Sequence, residues 1–157
     1  MYKRQLDDLN HFRPRAVNTF RCKHFRLEEL VGPEIFKTYG DRCWELLRVG
    51  ILVTIDTLQE RYGKIVINDW LWSGQFHESG LRDPMTPTGA ARSQHKFGGA
   101  FDLKFKTTTP IEVQKDILTH PENTPLLTTM ENAAATVTWL HVDDRNHNQP
   151  GIWVVNP

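Results

Sequence analysis

From residue 44 onward, Trp44, Leu47, Ile51, Ile55, Leu58 and Tyr62 recur at three- and four-residue steps, the spacing that gathers side chains on one face of an α-helix. Asp41 stands where a cap would start this helix and Gly63 where a glycine would stop it, so the pattern predicts one long, core-facing helix between them. A short helix is predicted over Phe25, Arg26, Leu27, Glu28, Glu29 and Leu30. Thr109, Pro110, Ile111 and Glu112 combine an N-cap, a first-turn proline and a capping-box glutamate, which predicts a helix from Pro110 to about His120, closed by Pro121 and Pro125.

Elsewhere the period falls to two. Ala100 to Phe105 alternates as a half-buried strand does, with Asp102 on the face opposite Phe101, Leu103 and Phe105. In residues 137–143, Val137, Trp139, His141 and Asp143 share one face and Thr138, Leu140 and Val142 the other; residues 152–155 are expected to return beside them as a hairpin. Residues 64–72 carry the β-branched run Ile65, Val66, Ile67, whereas residues 73–92 are punctuated by Gly80, Pro84, Pro87 and Gly89 and read as loop. The sum is an α+β fold, helices packed on a small antiparallel sheet. Residues 1–24 lack a clear period and are expected to form an arm, with residues 25–157 as the folded domain.

Composition narrows the function classes. A chain of 157 residues is one ordinary domain. Lys plus Arg and Asp plus Glu number 19 each, so the net charge is zero and argues for neither nucleic acid nor an anionic membrane surface. Cys22 and Cys43 have no metal-ligand spacing and suggest no disulfide framework. No apolar run approaches the length of a membrane span, and the polar opening residues do not read as a signal peptide.

The candidate chemistry lies in two segments, Ser93-Gln94-His95-Lys96-Phe97-Gly98-Gly99-Ala100-Phe101-Asp102 and Trp139-Leu140-His141-Val142-Asp143. Two imidazoles and a carboxylate, His95, His141 and Asp102, are a ligand set that suits a catalytic zinc ion, which uses three protein ligands and keeps its fourth position for water. Gly98 and Gly99 let the backbone turn after His95, and paired strands would bring Asp102 and His141 to one ion.

The pattern Ser-x-His-x-x-Gly-x-Ala-x-Asp followed by Trp-x-His-x-Asp resembles the zinc D-Ala-D-Ala carboxypeptidase and murein endopeptidase family, which includes phage endolysins and the zinc domain of hedgehog proteins. Ser79-Gly80-Leu81-Arg82 is similar to the Ser-Gly-Tyr-Arg element that often precedes the first zinc histidine there. The resemblance implies zinc bound by His95, Asp102 and His141, Ser93 behind the metal ligands or near the substrate, and Arg82 steadying substrate or a developing oxyanion. It implies peptidoglycan stem peptides or cross-links as the substrate. With no signal peptide expected, the protein would be made in the cytoplasm and reach the cell wall after phage lysis or on a virion, among other virion proteins.

One position departs from the family. Three residues before the last zinc ligand, where a general base is usual, stands Thr138. Asp143 and Glu131 are the candidate substitutes; the bland role for Asp143 is an ion pair with Arg145. Thr138 therefore keeps open a second class, a zinc-bearing virion structural or wall-binding module whose chemistry is weakened. A third, a hydrolase of free dipeptides, would fit a protein that stays inside the cell.

Overall fold

The computed structural model describes residues 19–157. Most of the expected arm, residues 1–18, lies outside the described residues. The α-helices are α1 (Leu27–Leu30), α2 (Pro33–Tyr39), α3 (Val49–Tyr62) and α4 (Pro110–Thr119). The strands are β1 (Ile65–Val66), β2 (Ala100–Phe105), β3 (Thr129–Glu131), β4 (Leu140–Asp143) and β5 (Trp153–Val155), joined in one five-stranded sheet of order β1-β2-β4-β3-β5.

Local chemistry accounts for the helix ends. At α4 the Thr109 hydroxyl accepts from the Glu112 N–H while the Glu112 carboxylate takes the Thr109 N–H at 2.9 Å, the capping box expected from the sequence. At the end of α3, Gly63 adopts φ 78°, and its N–H closes on the Gln59 carbonyl.

One face of the sheet is the core. Phe101 and Leu103 of β2, Leu140 and Val142 of β4 and Met130 of β3 are fully buried against Ile51, Leu52, Ile55 and Leu58 of α3 and Val113 and Ile117 of α4. Each such side chain contributes roughly 1.5–3 kcal/mol by leaving water. Phe20 and Cys22 pack half-buried on this core, and the Lys23 and His24 N–H groups bond Asp56. Because strand side chains alternate, the opposite face carries Asp102 and Lys104 from β2, His141 and Asp143 from β4, and Thr129 and Glu131 from β3.

The structure corrects the expected topology in four places. First, the sheet is mixed rather than antiparallel: β5 runs parallel to β3 and does not form the expected hairpin with β4. After β4 the chain is drawn across the start of β3, where the Thr128 hydroxyl donates to the Arg145 carbonyl (2.6 Å) and the Thr128 carbonyl accepts from His147 (2.8 Å) and Trp153 N–H (2.8 Å). Strand β5 is thereby placed outside β3. Second, residues 137–139 are not strand, because Thr136 and Trp139 close a turn at 3.1 Å before β4 begins. Third, the long helix is divided. Residues Gly40–Leu46 form a tight 3₁₀ turn, Leu47 and Arg48 are extended, and only then does α3 begin, so Asp41 does not cap it. The break arises because the Arg48 N–H bonds the Gly98 carbonyl at 2.9 Å and its guanidinium pairs with Asp144 at 3.1 Å. Residues 64–72 likewise keep only the short β1, followed by a 3₁₀ turn at Trp70–Trp72.

Candidate metal centre

His95 sits in a 3₁₀ turn, Gln94–Phe97, ended by Gly98 at φ 67°. Only glycine fits there, since an added Cβ would lie 1.9 Å from the Leu46 carbonyl oxygen. That contact presses the turn against the break before α3 and holds His95 at 2% exposure. Asp102 and His141 arrive from β2 and β4 as a directly opposed cross-strand pair.

The three side chains converge. His95 Nε2 lies 3.2 Å from Asp102 Oδ1 and 3.2 Å from His141 Nδ1, and His141 Nδ1 lies 2.9 Å from Asp102 Oδ1. Donors bound at about 2.0–2.2 Å around a tetrahedral ion are themselves roughly 3.4 Å apart, so the cluster is close to the size an ion requires.

The outward atoms decide which lone pairs face inward. His95 Nδ1 meets the Gly80 carbonyl at 2.9 Å, and a carbonyl only accepts, so Nδ1 carries the proton and Nε2 a lone pair. His141 Nε2 donates to Asp143 Oδ2 at 3.1 Å, leaving its Nδ1 turned to the cluster. Two imidazole lone pairs and a carboxylate oxygen thus point at one place, an arrangement reconciled by a metal ion or by a proton on one of the two inward nitrogens, His141 Nδ1 being favoured over the more strongly destabilised His95. This His95-Asp102-His141 group, almost wholly buried, could hold a metal ion.

Titration follows the same geometry. Burial pulls His95 below its ordinary value. Burial also opposes a charged His141, but hydrogen bonds to Asp102 and Asp143 outweigh it and push His141 up to about 9. Burial would raise Asp102, yet His141 and His95 hold its carboxyl well below the usual carboxylate range. Asp143, fully buried, is likewise brought down to about 2 by His141 and Arg145.

Around the cluster, Arg82 Nη2 donates to Asp102 Oδ2 at 3.0 Å and its Nε to the Glu78 carbonyl, so Arg82 braces Asp102. Arg145 grips Asp143 through Nε (2.8 and 3.0 Å) and Nη2 (2.5 Å). Asp143 therefore sits on the far side of the His141 ring, away from the converging lone pairs. Continuing the β3–β4 register one step past Met130↔Val142 sets Glu131 opposite His141, half-buried on the same face, and its charge acts on His141. Ser93 starts the His95 turn, and a Cβ added at Gly89 would lie 3.7 Å from its hydroxyl and 2.8 Å from Arg82 Nη1. Thr138 is exposed in the turn before β4.

A cleft of about 490 Å³ opens beside Asp102, with Phe76, Ser79, Arg82, Lys104 and Trp139 among its walls. Lys104 Nζ lies below it, donating to the carbonyls of Ile67 (3.0 Å) and Asp102 (3.2 Å) and to the Ser79 hydroxyl; burial pushes it down to about 8. Sequence reading did not single out Lys104 or the Gly80 carbonyl. Lys104 shares the strand face of Asp102 two residues on, which is the one signal that pointed to it.

A scan of the chain against protein-family models finds no match, and comparisons with curated proteins and with solved structures return none either. Among the described residues no helix is long and apolar enough to cross a membrane.

Proposed function

We propose that this chain is a zinc-dependent peptidase acting on peptide bonds of bacterial peptidoglycan, carried by or released from a phage. The observation that carries the reading is the convergence of three inward-facing lone pairs beside an open cleft, each ligand held from behind by a partner of its own. Nitrogen and oxygen donors in this number suit zinc, and partners behind metal-binding side chains commonly fix their orientation. When bound, such an ion supplies Lewis acidity toward a peptide carbonyl and lowers the pKa of a water molecule to about 7.

The chain's own groups do the rest. Arg82 and the Gly80 carbonyl orient Asp102 and His95, and Asp143 orients His141. Glu131 supplies the base that Thr138 cannot: opposite His141 on the open face, its carboxylate takes a proton from the attacking water and returns it to the leaving amine. Asp143 is unsuited to that task, being fully buried and gripped by Arg145.

The test is metal content of the purified chain together with release of soluble fragments from purified peptidoglycan, for wild type and His95→Ala. One equivalent of zinc with release abolished in the variant supports the peptidase. The exposed Thr138 favours a second reading, a zinc-bearing wall-binding or virion structural module, to which zinc without release would point. No bound metal would sink both.

A further inference from the structure

The two imidazoles of the metal centre stand on unlike supports. His141 belongs to β4, which pairs with β2 on one side and β3 on the other, so its place is set within the sheet. His95 belongs to a 3₁₀ turn outside the sheet, and contacts from elsewhere must fix where that turn lies relative to β4. The Gly80 carbonyl at His95 Nδ1 and the Arg82 N–H on the His95 carbonyl (3.0 Å) hold the residue itself. The ends of the turn rest on Arg48 and Asp144, which the peptidase reading leaves unused.

Arg48 spans the gap between the two segments. Its N–H bonds the Gly98 carbonyl at 2.9 Å, Nη1 reaches Gln94 Oε1 at 3.4 Å, Nη2 donates to the Asp144 carbonyl at 2.9 Å, and Nε lies 3.1 Å from Asp144 Oδ1. One residue thus links both ends of the His95 turn to the position three beyond His141. Asp144 completes the joint: its N–H closes on the Gly99 carbonyl at 3.2 Å, and its carboxylate faces the Ile51 N–H in the first turn of α3, a helix whose own N-cap residue, Arg48, offers no side-chain cap. The packing leaves no slack. A Cβ added at Gly50 would lie 2.9 Å from Asp144 Oδ2, and one at Gly99 would lie 2.9 Å from Asp144 Oδ1 and 3.0 Å from Arg48 Nη1.

We infer that Arg48 is a positioning residue for the metal centre: its guanidinium fixes the His95 turn against the end of β4 and thereby sets how far apart the His95 and His141 donor atoms lie. The inference rests on the metal-peptidase reading for the presence of an ion. Two of the three guanidinium contacts go to neutral oxygens, so an ion pair with Asp144 is only part of the tie. A planar fork reaches three acceptors in fixed directions, which the point charge of a lysine cannot do. With 42% of its side chain exposed, Arg48 can be replaced without opening a cavity in the core.

Metal binding tests it without relying on turnover. Wild type, Arg48→Met, Arg48→Lys and Thr109→Ala, which removes the α4 cap far from the cluster, are compared as full chains. Three quantities are read: zinc affinity by competition with a chromogenic chelator, melting temperature after chelation, and the visible absorption of the cobalt(II)-loaded protein, whose bands follow ligand geometry. Arg48→Met should bind zinc at least about tenfold more weakly, the scale for losing a residue that orients metal ligands, and should shift the cobalt bands. Arg48→Lys keeps a charge beside Asp144 but not the fork, so its melting temperature should return toward wild type while zinc affinity and cobalt bands stay displaced. Thr109→Ala should melt lower with both metal readouts unchanged. Wild-type zinc affinity and cobalt bands in Arg48→Met overturn the inference and leave the metal reading standing. Full recovery of both in Arg48→Lys overturns it too, because charge rather than the fork would then do the work. A wild type that binds no metal sinks the metal reading and the inference with it. Should Arg48→Met fail to fold, Arg48→Lys carries the test alone: displaced metal readouts support the inference and wild-type ones overturn it.

Discussion

Asp143 and Glu131 are both acids on the face of the sheet opposite the core, yet their neighbours give them different work. Asp143 faces the Nε2–H of His141 and is locked by Arg145, so its effect is on where the His141 lone pair points. Asp143→Asn should weaken zinc binding by about 10–100-fold, read by competition with a chromogenic chelator. Arg145→Met leaves that carboxylate buried without its guanidinium, with His141 as its remaining side-chain partner, and removing one member of a buried pair costs more than removing both. The double variant Asp143→Ala/Arg145→Met should therefore melt higher than Arg145→Met alone; the opposite order would mean the pair does not act as a unit. Among the described residues the Glu131 carboxylate has no hydrogen bond to the converging donor atoms and acts on His141 through its charge alone, so Glu131→Gln should keep its full zinc content and lose about 10²–10⁴-fold in peptidase rate. Loss of zinc in that variant would remove Glu131 from the role of base.

The break between the 3₁₀ turn Gly40–Leu46 and α3 joins the helical layer to the His95 turn, and Gly98 is the point of contact. Gly98→Ala puts a Cβ against the Leu46 carbonyl at a positive φ and should cost at least about 2 kcal/mol, with zinc affinity falling in step because His95 moves. Thr109→Ala, which removes the α4 cap far from the cluster, should cost about 1 kcal/mol and leave zinc affinity untouched. Equal effects of both substitutions on zinc would refute a specific link through Gly98. This junction also marks where sequence reading stopped working. Signals that are satisfied locally were readable: the Thr109–Glu112 box, the Gly63 stop and the alternation of β2; the His95, Asp102 and His141 set, which the structure brings together from distant segments, was legible only through its two motifs and their resemblance to a known pattern. The helix break depends on Arg48 meeting Gly98 and Asp144, and the place of β5 on Thr128 holding residues 145, 147 and 153. Both are contacts between distant segments that no local pattern encodes. Glu131 was similarly a candidate without a position until the β3–β4 register placed it.

Protons and metal compete for the same lone pairs, and the competition should be visible in the stability of the folded chain. Asp143 has its carboxyl lowered from 3.8 to about 2, so it stabilises the fold above the ordinary value and that contribution disappears as pH falls toward 2. His141 runs the other way. Raised from 6.5 to about 9, it stabilises the chelator-treated protein fully below 6.5, and the contribution is lost as pH rises through 9. Metal can be held only by the neutral Nδ1, so binding displaces that proton and affinity should climb by about tenfold per pH unit across this window. A ligand that binds only the folded state stabilises it by about 2.7 kcal/mol at one hundred times its dissociation constant. The melting temperature with zinc should thus exceed that with chelator at pH 6.5, and the gap should widen toward pH 8.5, as the chelated protein loses the His141 contribution while the loaded one binds zinc more tightly. Differential scanning calorimetry at the two pH values, with Thr109→Ala as a control that lowers both curves alike, measures this directly. A gap that stays constant would mean that zinc, if bound at all, does not exchange with the His141 proton and sits elsewhere than among His95, Asp102 and His141.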